Sequence, residues 1–234
     1  MNNKIINDLN NTFKDKTPHE IIKYLSDVYK GKLSFASSFG VEDQVIAEMI
    51  AAAGGKIKVF SLDTGRLFQE TYDLIQITRA KYKLDFDLFF PDPKDVENMV
   101  KSKGINLFYD SIENRKLCCH VRKVKPLKRA LKGLDMWVSG LRRDQSDLRH
   151  NLKTVEWDEK NGLIKVSPLL SWTEKQVWEY IKEKHIPYNK LHDKSYPSIG
   201  CLPCTRAVAP GDDVRSGRWW WENPMFTECG LHKS

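Results

Sequence analysis

Short apolar runs alternate along the chain with longer segments of helical spacing. Short stretches rich in apolar residues at residues 33–36, 57–62, 84–90 and 136–139 predict strands. Apolar residues at intervals of three and four predict helices at residues 41–53, 95–101 and 121–132, and another that ends at about residue 82. Strands separated by helices of this length predict an α/β fold with a doubly wound, mostly parallel sheet.

The two ends of the chain follow other patterns. Residues 4–13 predict a helix, and a second begins at Thr17, with Pro18 at its first position and Glu20 completing a capping box. Residues 155–157 and 163–166 predict a hairpin around Asn161-Gly162, and residues 173–184 a last helix. Beyond residue 186, prolines, glycines and aromatic residues replace any periodicity. We therefore expect one domain over residues 1–204 and an irregular C-terminal arm over 205–234.

Composition narrows the class of protein. The chain has 234 residues, of which 41% are hydrophobic and 29% charged, as in ordinary globular proteins. It has no apolar run of the roughly 20 residues that a spanning helix needs and no N-terminal signal-peptide pattern, which predicts a cytoplasmic protein without a membrane partner. The net charge of +7 predicts attraction to anions. Because the arginines cluster in loop-like stretches, a small anionic ligand is favoured over nucleic acid.

Five cysteines in a cytoplasmic chain indicate metal or catalytic roles rather than disulfides. Cys118-Cys119 and Cys201-x-x-Cys204 could supply four thiolates, whose negative charge the adjacent Arg122-Lys123-Val124-Lys125 run would offset. Zinc and a [4Fe–4S] cluster both use such ligands, and the spacing leaves both open. The fifth cysteine, Cys229, is not needed for this ligand set. It lies near His232 and downstream of several arginines, and nearby positive charge would lower the pKa of its thiol and make it a nucleophile.

Two loops at predicted strand ends could bind a nucleotide. In an open parallel sheet, ligands bind beyond the carboxyl ends of the strands. The first loop, Ser37-Ser38-Phe39-Gly40, comes directly before a helix, where backbone N–H groups and the helix dipole can hold an anion. The second, Asp63-Thr64-Gly65, could contact a base or ribose through its backbone groups. Glu42 and Asp43 suit a helix N-terminus for dipole reasons alone.

Five ordered motifs resemble the assimilatory sulfonucleotide reductases, and among them the cluster-containing adenylyl-sulfate reductases. The resemblance runs from about residue 33 to residue 232. Its most specific pieces are Cys118-Cys119 with Arg122-Lys123, Gly140-Leu141-Arg142-Arg143-Asp144-Gln145-Ser146, Cys201-x-x-Cys204-Thr205-Arg206, Gly217-Arg218-Trp219-Trp220-Trp221 and Glu228-Cys229-Gly230-Leu231-His232.

The resemblance implies an adenine nucleotide α-hydrolase-like fold and a definite chemistry. Cys229 would attack the sulfur of adenylyl sulfate, AMP would leave, and thioredoxin or glutaredoxin would then release sulfite from an S-sulfocysteine. Phe39 stands where ATP pyrophosphatases have a glycine, which fits a sulfate in place of a second phosphate. The resemblance implies catalytic roles for Cys229, His232 and Lys123, a [4Fe–4S] cluster on Cys118, Cys119, Cys201 and Cys204, and substrate binding by Ser37, Ser38, Phe39, Gly40, Asp63, Thr64, Gly65, Arg142, Arg143, Arg215 and Arg218.

Three other functions remain open at this point. The nearest is a reductase for the 3′-phosphorylated nucleotide, or one that accepts both nucleotides. A tRNA-thiolating enzyme of the same superfamily and a zinc module that binds nucleic acid are further alternatives. The oligomeric state, including a homo-oligomer, also stays open.

Overall fold

The computed structural model describes residues 2–29, 31–145, 149 and 151–222. Cys229 and His232 lie outside the described residues. The chain divides into two compact units. The first unit comprises Met1–Ser61, Leu74–Asp87 and Gly133–Tyr188, and the second comprises Leu62–Asp73, Leu88–Lys132 and Asn189–Ser234. The predicted boundary between residues 204 and 205 stays a prediction.

A six-stranded sheet has the order β3-β2-β1-β4-β6-β5. Strand β1 pairs in parallel with β2 and β4, β4 pairs in parallel with β6, and β5 and β6 form the predicted antiparallel hairpin. The mostly parallel sheet is therefore confirmed. The strands are β1 Leu33–Ala36, β2 Lys58–Leu62, β3 Phe86–Phe89, β4 Met136–Val138, β5 Val155–Asp158 and β6 Leu163–Val166.

Eight α-helices accompany the strands in the described part of the chain. They are α1 Asn2–Phe13, α2 Pro18–Val28, α3 Val41–Ala52, α4 Gln69–Tyr82, α5 Pro93–Lys103, α6 Ile112–Cys119, α7 Lys125–Leu131 and α8 Glu174–Glu183. The predicted capping box of α2 is confirmed, because Glu20 Oε2 accepts from Thr17 N at 2.7 Å and Thr17 Oγ1 accepts from Glu20 N at 3.3 Å. After α8, the described chain is irregular, with short 3₁₀ turns at Lys190–Lys194 and Leu202–Cys204.

Helix α6 differs from the sequence prediction, which began this helical region only at residue 121. The helix starts after Ser111, whose hydroxyl accepts from Asn114 N at 3.1 Å, and its middle is polar, which hides its periodicity. A π-helical turn, His120–Val124, joins α6 to α7. Such turns are frequent at functional sites. Here the turn follows directly on Cys118 and Cys119.

Each unit has its own apolar core. In the first unit, β1 and α3 supply fully buried side chains such as Phe35, Ile46 and Ile50. In the second, a smaller cluster combines apolar side chains with two cysteines: Met99, Leu107, Phe108, Cys118, Val121, Cys204 and Trp219. Among the described helices, none is both long and apolar enough to cross a membrane.

Candidate active site

The first predicted loop joins β1 to α3 in the first unit. Ser37 continues the sheet, donating its N–H to Phe60 O at 2.9 Å, and Gly40 caps α3. Phe39 lies between them in the left-handed region at φ 60° and packs on Phe86, with ring centroids 5.4 Å apart. Residues other than glycine rarely adopt this conformation, and it occurs where surrounding structure enforces it. The loop therefore has an imposed shape at the start of a helix.

Asp43 fixes the shape of this loop from inside. Its Oδ2 accepts from Ser38 N at 2.5 Å and from Ser38 Oγ at 2.7 Å. Burial raises the pKa of Asp43 to about 6, against the effect of the hydrogen bonds from Ser38. A Cβ on Gly140 would run into Asp43 Oδ1, so Gly140 is the residue that leaves room for this carboxylate. Asp43 therefore suits its position for two reasons: its charge lies at the N-terminus of α3, and its carboxylate holds the loop before that helix.

The loop after β4 is tied to the start of α3 within the first unit. Arg142 Nε donates to Glu42 Oε1 at 2.8 Å, and Arg142 Nη1 also pairs with Asp144. Gln145 Nε2 donates to the same Glu42 oxygen at 3.0 Å. Arg143 donates through Nη2 to Leu152 O at 3.0 Å. Arg142 and Arg143, both predicted to bind substrate, therefore already have protein partners.

The second predicted loop belongs to the second unit and lies at the cysteines. Asp63 Oδ1 accepts from Gly65 N at 2.7 Å and from the Tyr72 hydroxyl at 3.0 Å, which closes the turn. The Thr64 hydroxyl lies 3.2 Å from Cys201 Sγ. Asp63 and Gly65 thus shape a turn that brings Thr64 to a sulfur atom.

All four cysteines predicted as ligands line one cavity of about 30 Å³ in the second unit. Cys118 and Cys119 come from the end of α6, and Cys201 and Cys204 from the 3₁₀ turn and the residue before it. Burial raises the pKa of the Cys118 and Cys204 thiols, and for Cys204 the neighbouring Cys201 raises it further. Four mutually repelling thiolates here would need compensating positive charge.

Positive charge surrounds the same cavity. Arg66, Arg115, Arg122 and Lys123 all line it, and in the described residues its lining includes no carboxylate. Arg122 is buried, donates through Nη1 to Thr64 O at 2.8 Å, and by its charge lowers the pKa of Cys118 against the effect of burial. Sequence reasoning found Arg122 and Lys123 from their adjacency to the cysteines. It missed Arg66 and Arg115, whose side chains reach the cavity only through the fold.

The described part of the C-terminal arm packs beside the cysteine turn. Thr205 bridges to Arg218, and Trp219 N donates to Cys204 O at 3.3 Å. The Arg218 guanidinium lies 4.9 Å from the centre of the Trp219 ring and against Gly200. Arg215 begins the turn that leads to Arg218, accepting its N–H at 2.8 Å. Arg215 and Arg218, both predicted to bind substrate, therefore lie in the second unit with the four cysteines.

Comparison with known proteins places the chain in a family. Residues 32–207 match the family described as the phosphoadenosine phosphosulfate reductase domain. An adenosine 5′-phosphosulfate reductase from Allochromatium vinosum is 48% identical over 214 residues, which cover 91% of this chain and 84% of that protein. An enzyme of the same name from Burkholderia cepacia is 49% identical over 201 residues, which cover 86% of this chain and 80% of that protein.

Solved structures agree with the predicted fold. The phosphoadenylyl-sulfate reductase of Candida auris, solved as a phosphate complex, is 31% identical with a TM-score of 0.73 and covers 87% of this chain and 96% of its own. The FMN adenylyltransferase of Candida glabrata, at 14% identity and a TM-score of 0.55, covers 97% and 82% and shares the fold alone. The matched segment, the two relatives and the shared architecture together establish that this chain belongs to the phosphoadenosine phosphosulfate reductase domain family.

Proposed function

We propose that this protein reduces adenylyl sulfate to sulfite and AMP in sulfate assimilation, through an S-sulfocysteine on Cys229. The observation that carries the proposal is that four cysteines and four cationic side chains line one cavity. It occurs in a chain almost half identical to proteins named adenosine 5′-phosphosulfate reductase. The remaining cysteine, Cys229, is then available for chemistry.

The reaction balances in two steps. The Cys229 thiolate attacks the sulfur of the phosphosulfate anhydride, an S–S bond forms, and the S–O bond to AMP breaks with its electron pair leaving on AMP. A dithiol protein, thioredoxin or glutaredoxin, then attacks Cys229 Sγ with one thiolate and releases sulfite. Its second thiol resolves the mixed disulfide and returns Cys229 to the thiol form. The dithiol thus supplies the two electrons.

The substrate and the thiolate repel one another, and the protein must offset this. Lys123 lines the cysteine cavity, and Arg215 and Arg218 lie in the same unit. We assign to these groups the neutralisation of the sulfate and of the attacking sulfur. Ser37, Ser38, Phe39 and Gly40, shaped by Asp43, are assigned to the nucleotide phosphate. His232 is assigned a contact with the sulfate or the thiolate.

The residues around the cavity fit an iron–sulfur cluster. The cavity's four thiols are the ligand set of both zinc and a [4Fe–4S] cluster, and in the described residues no group of three or more His, Cys, Asp or Glu side chains is arranged to hold a single metal ion. The cationic side chains that line the same cavity suit the negative charge of four thiolates and of the group they hold. Arg122 Nε and Trp219 Nε1 are buried donors without a hydrogen-bond partner among the described atoms, as sulfur acceptors would require.

Cys118, Cys119, Cys201 and Cys204 would therefore hold a [4Fe–4S] cluster. When bound, the cluster supplies a fixed charge and a covalent tie between α6 and the Cys201–Cys204 turn. Anaerobically purified protein should be brown, absorb near ~400 nm and contain about four iron atoms per chain. A colourless protein containing zinc would contradict this assignment.

Steady-state kinetics with both nucleotides test the proposed function. Sulfite release should require a dithiol protein, and kcat/KM should be at least tenfold higher for adenylyl sulfate than for its 3′-phosphorylated form. The second candidate, a reductase for the phosphorylated nucleotide, is favoured by the likeness to the Candida auris structure. The reverse ratio of kcat/KM would establish it, and equal values would indicate dual specificity.

A further inference from the structure

A buried ion pair links the cysteine helix to the last described residue of the arm. Arg115 on α6 donates through Nε to Glu222 Oε1 at 2.9 Å and through Nη2 to Glu222 Oε2 at 2.7 Å. Both side chains are only 3% exposed. The Arg115 guanidinium also lies 4.7 Å from the centre of the Trp219 ring. Its two parallel hydrogen bonds fix the orientation of the carboxylate as well as its position.

The two partners occupy significant places in the sequence. Arg115 precedes Cys118 and Cys119 by one helical turn and lines the same cavity. Glu222 precedes Cys229 by seven residues. Seven residues span at most roughly 25 Å, so the position of Glu222 limits where the thiol can reach.

We infer that the Arg115–Glu222 pair is a positioning device for the nucleophile: it fixes the chain from which Cys229 extends to the helix that presents Cys118 and Cys119. This inference rests on the proposed function and assigns two residues that the predicted chemistry left out. Neither residue is a catalytic group. Each acts by holding Glu222, the residue from which the chain to Cys229 extends, in one place and one orientation.

Because both side chains are buried, the pair can hold Glu222 in place more firmly than an exposed ion pair could. Two buried charges that lose water gain stability only with good geometry, and replacing both by apolar residues is often neutral. What such a replacement removes is the fixed position and orientation of Glu222. If only tether length mattered, freeing the chain back to Trp219 would lengthen the tether from seven to ten residues and lower the local concentration of the thiol by less than about twofold.

The test is the single-turnover rate of S-sulfocysteine formation with adenylyl sulfate in the absence of reductant. Glu222→Gln should lower the maximal rate about tenfold at saturating nucleotide, while the half-saturating concentration and the iron content stay as in the parent. A loss of threefold or more supports the inference, and a smaller loss overturns it. A raised half-saturating concentration with an unchanged maximal rate would also overturn it, because the pair would then serve nucleotide binding.

A second variant guards against loss of folding. Arg115→Met with Glu222→Leu removes both charges and leaves neither unpaired, so it should fold with iron and remain slow. Recovery of the parental rate would overturn the inference, and so would loss of iron in both variants, because the pair would then belong only to the fold of the second unit. Asp212→Asn, at an exposed carboxylate of the same arm, is the control and should match the parent. If the parent itself forms no adduct, the proposed function fails instead.

Discussion

In the first unit, Arg142 of the loop after β4 contacts carboxylates, whereas in the second unit the buried Arg122 lies in a cavity lined by thiols. Arg142 pairs with Glu42 and Asp144. Arg122 lies among Cys118, Cys201 and other cavity side chains, with no carboxylate among the described residues that line it. The first unit thus balances this charge internally. In the second unit, Arg115 pairs with Glu222, and we assign to the positive charge of the cavity as a whole the binding of a cluster and of an anionic substrate.

Loss of one cysteine ligand should have the largest effect. Cys204→Ser should reduce the iron content to less than one-tenth of the parental value, and sulfite release should fall with it, because the binding free energy of such a group is also folding free energy. Iron and acid-labile sulfide measure the first, and a coupled reductase assay the second. Cys229→Ser is the control and should keep its iron. Full iron in Cys204→Ser would show that Cys204 is not a ligand.

Loss of a single cavity cation should affect chemistry without emptying the cavity. Lys123→Ala should lower kcat/KM by roughly 100-fold with the iron content unchanged, as expected when one preorganised charge is removed from a reacting group. Lys116→Ala, at an exposed position on the preceding helix α6, should be indistinguishable from the parent. Full activity with full iron in Lys123→Ala would remove the electrostatic role assigned to this residue.

Two glycines allow the units to be disturbed separately. A Cβ at Gly140 would meet Asp43 in the first unit, and one at Gly217 would meet the backbone oxygen of Arg206 in the second. Each alanine variant should lose about 1–3 kcal/mol of stability. Gly140→Ala should weaken nucleotide binding and keep its iron, and Gly217→Ala should lose iron. Equal iron loss in both variants would contradict the assignment of nucleotide binding to the first unit and iron binding to the second.

The smallest expected effect is a pH dependence in the first unit. The pKa of Asp43 is raised to about 6 from its usual 3.8, so the folded protein binds this proton more tightly than the unfolded chain. The resulting stability is present in full below pH 3.8 and declines as pH rises through 6. Between pH 5 and 7, the parent should lose about 1 kcal/mol of unfolding free energy relative to Asp43→Asn. The free energy of unfolding, measured with denaturant, is compared for the two proteins at each pH. If both change with pH in the same way, the pKa of Asp43 does not differ between the folded and unfolded states.

The sheet was predictable because its signals are local. Strand β1 is a short, mostly apolar stretch, and Asn161-Gly162 lies in the turn between β5 and β6. The bounds of these three strands were therefore predicted to within one residue. The predicted third strand began two residues early, since the buried Leu84 looks like strand but precedes β3. Strands and tight turns can therefore be predicted from sequence where burial and turn residues determine them over a few positions.

The site was only partly predictable because its remaining contacts are long-range. The adjacency of Cys118 and Cys119 and the Cys201-x-x-Cys204 spacing predicted that these cysteines act together, and the structure places all four in the lining of one cavity. The pairing of Arg115 with Glu222, 107 positions apart, has no local signature. Nor does the approach of Arg66 to the cysteines. The polar helix α6, which carries Arg115, lacks the apolar periodicity that sequence reasoning uses.

The central claim is that Cys229 captures the oxidised sulfur of adenylyl sulfate. Anaerobic protein mixed with one equivalent of the nucleotide and no reductant should release AMP and gain the mass of one SO₃ on the peptide containing Cys229, and Cys229→Ser should do neither. AMP and sulfite released at the parental rate by Cys229→Ser, or an adduct on another cysteine, would contradict the account.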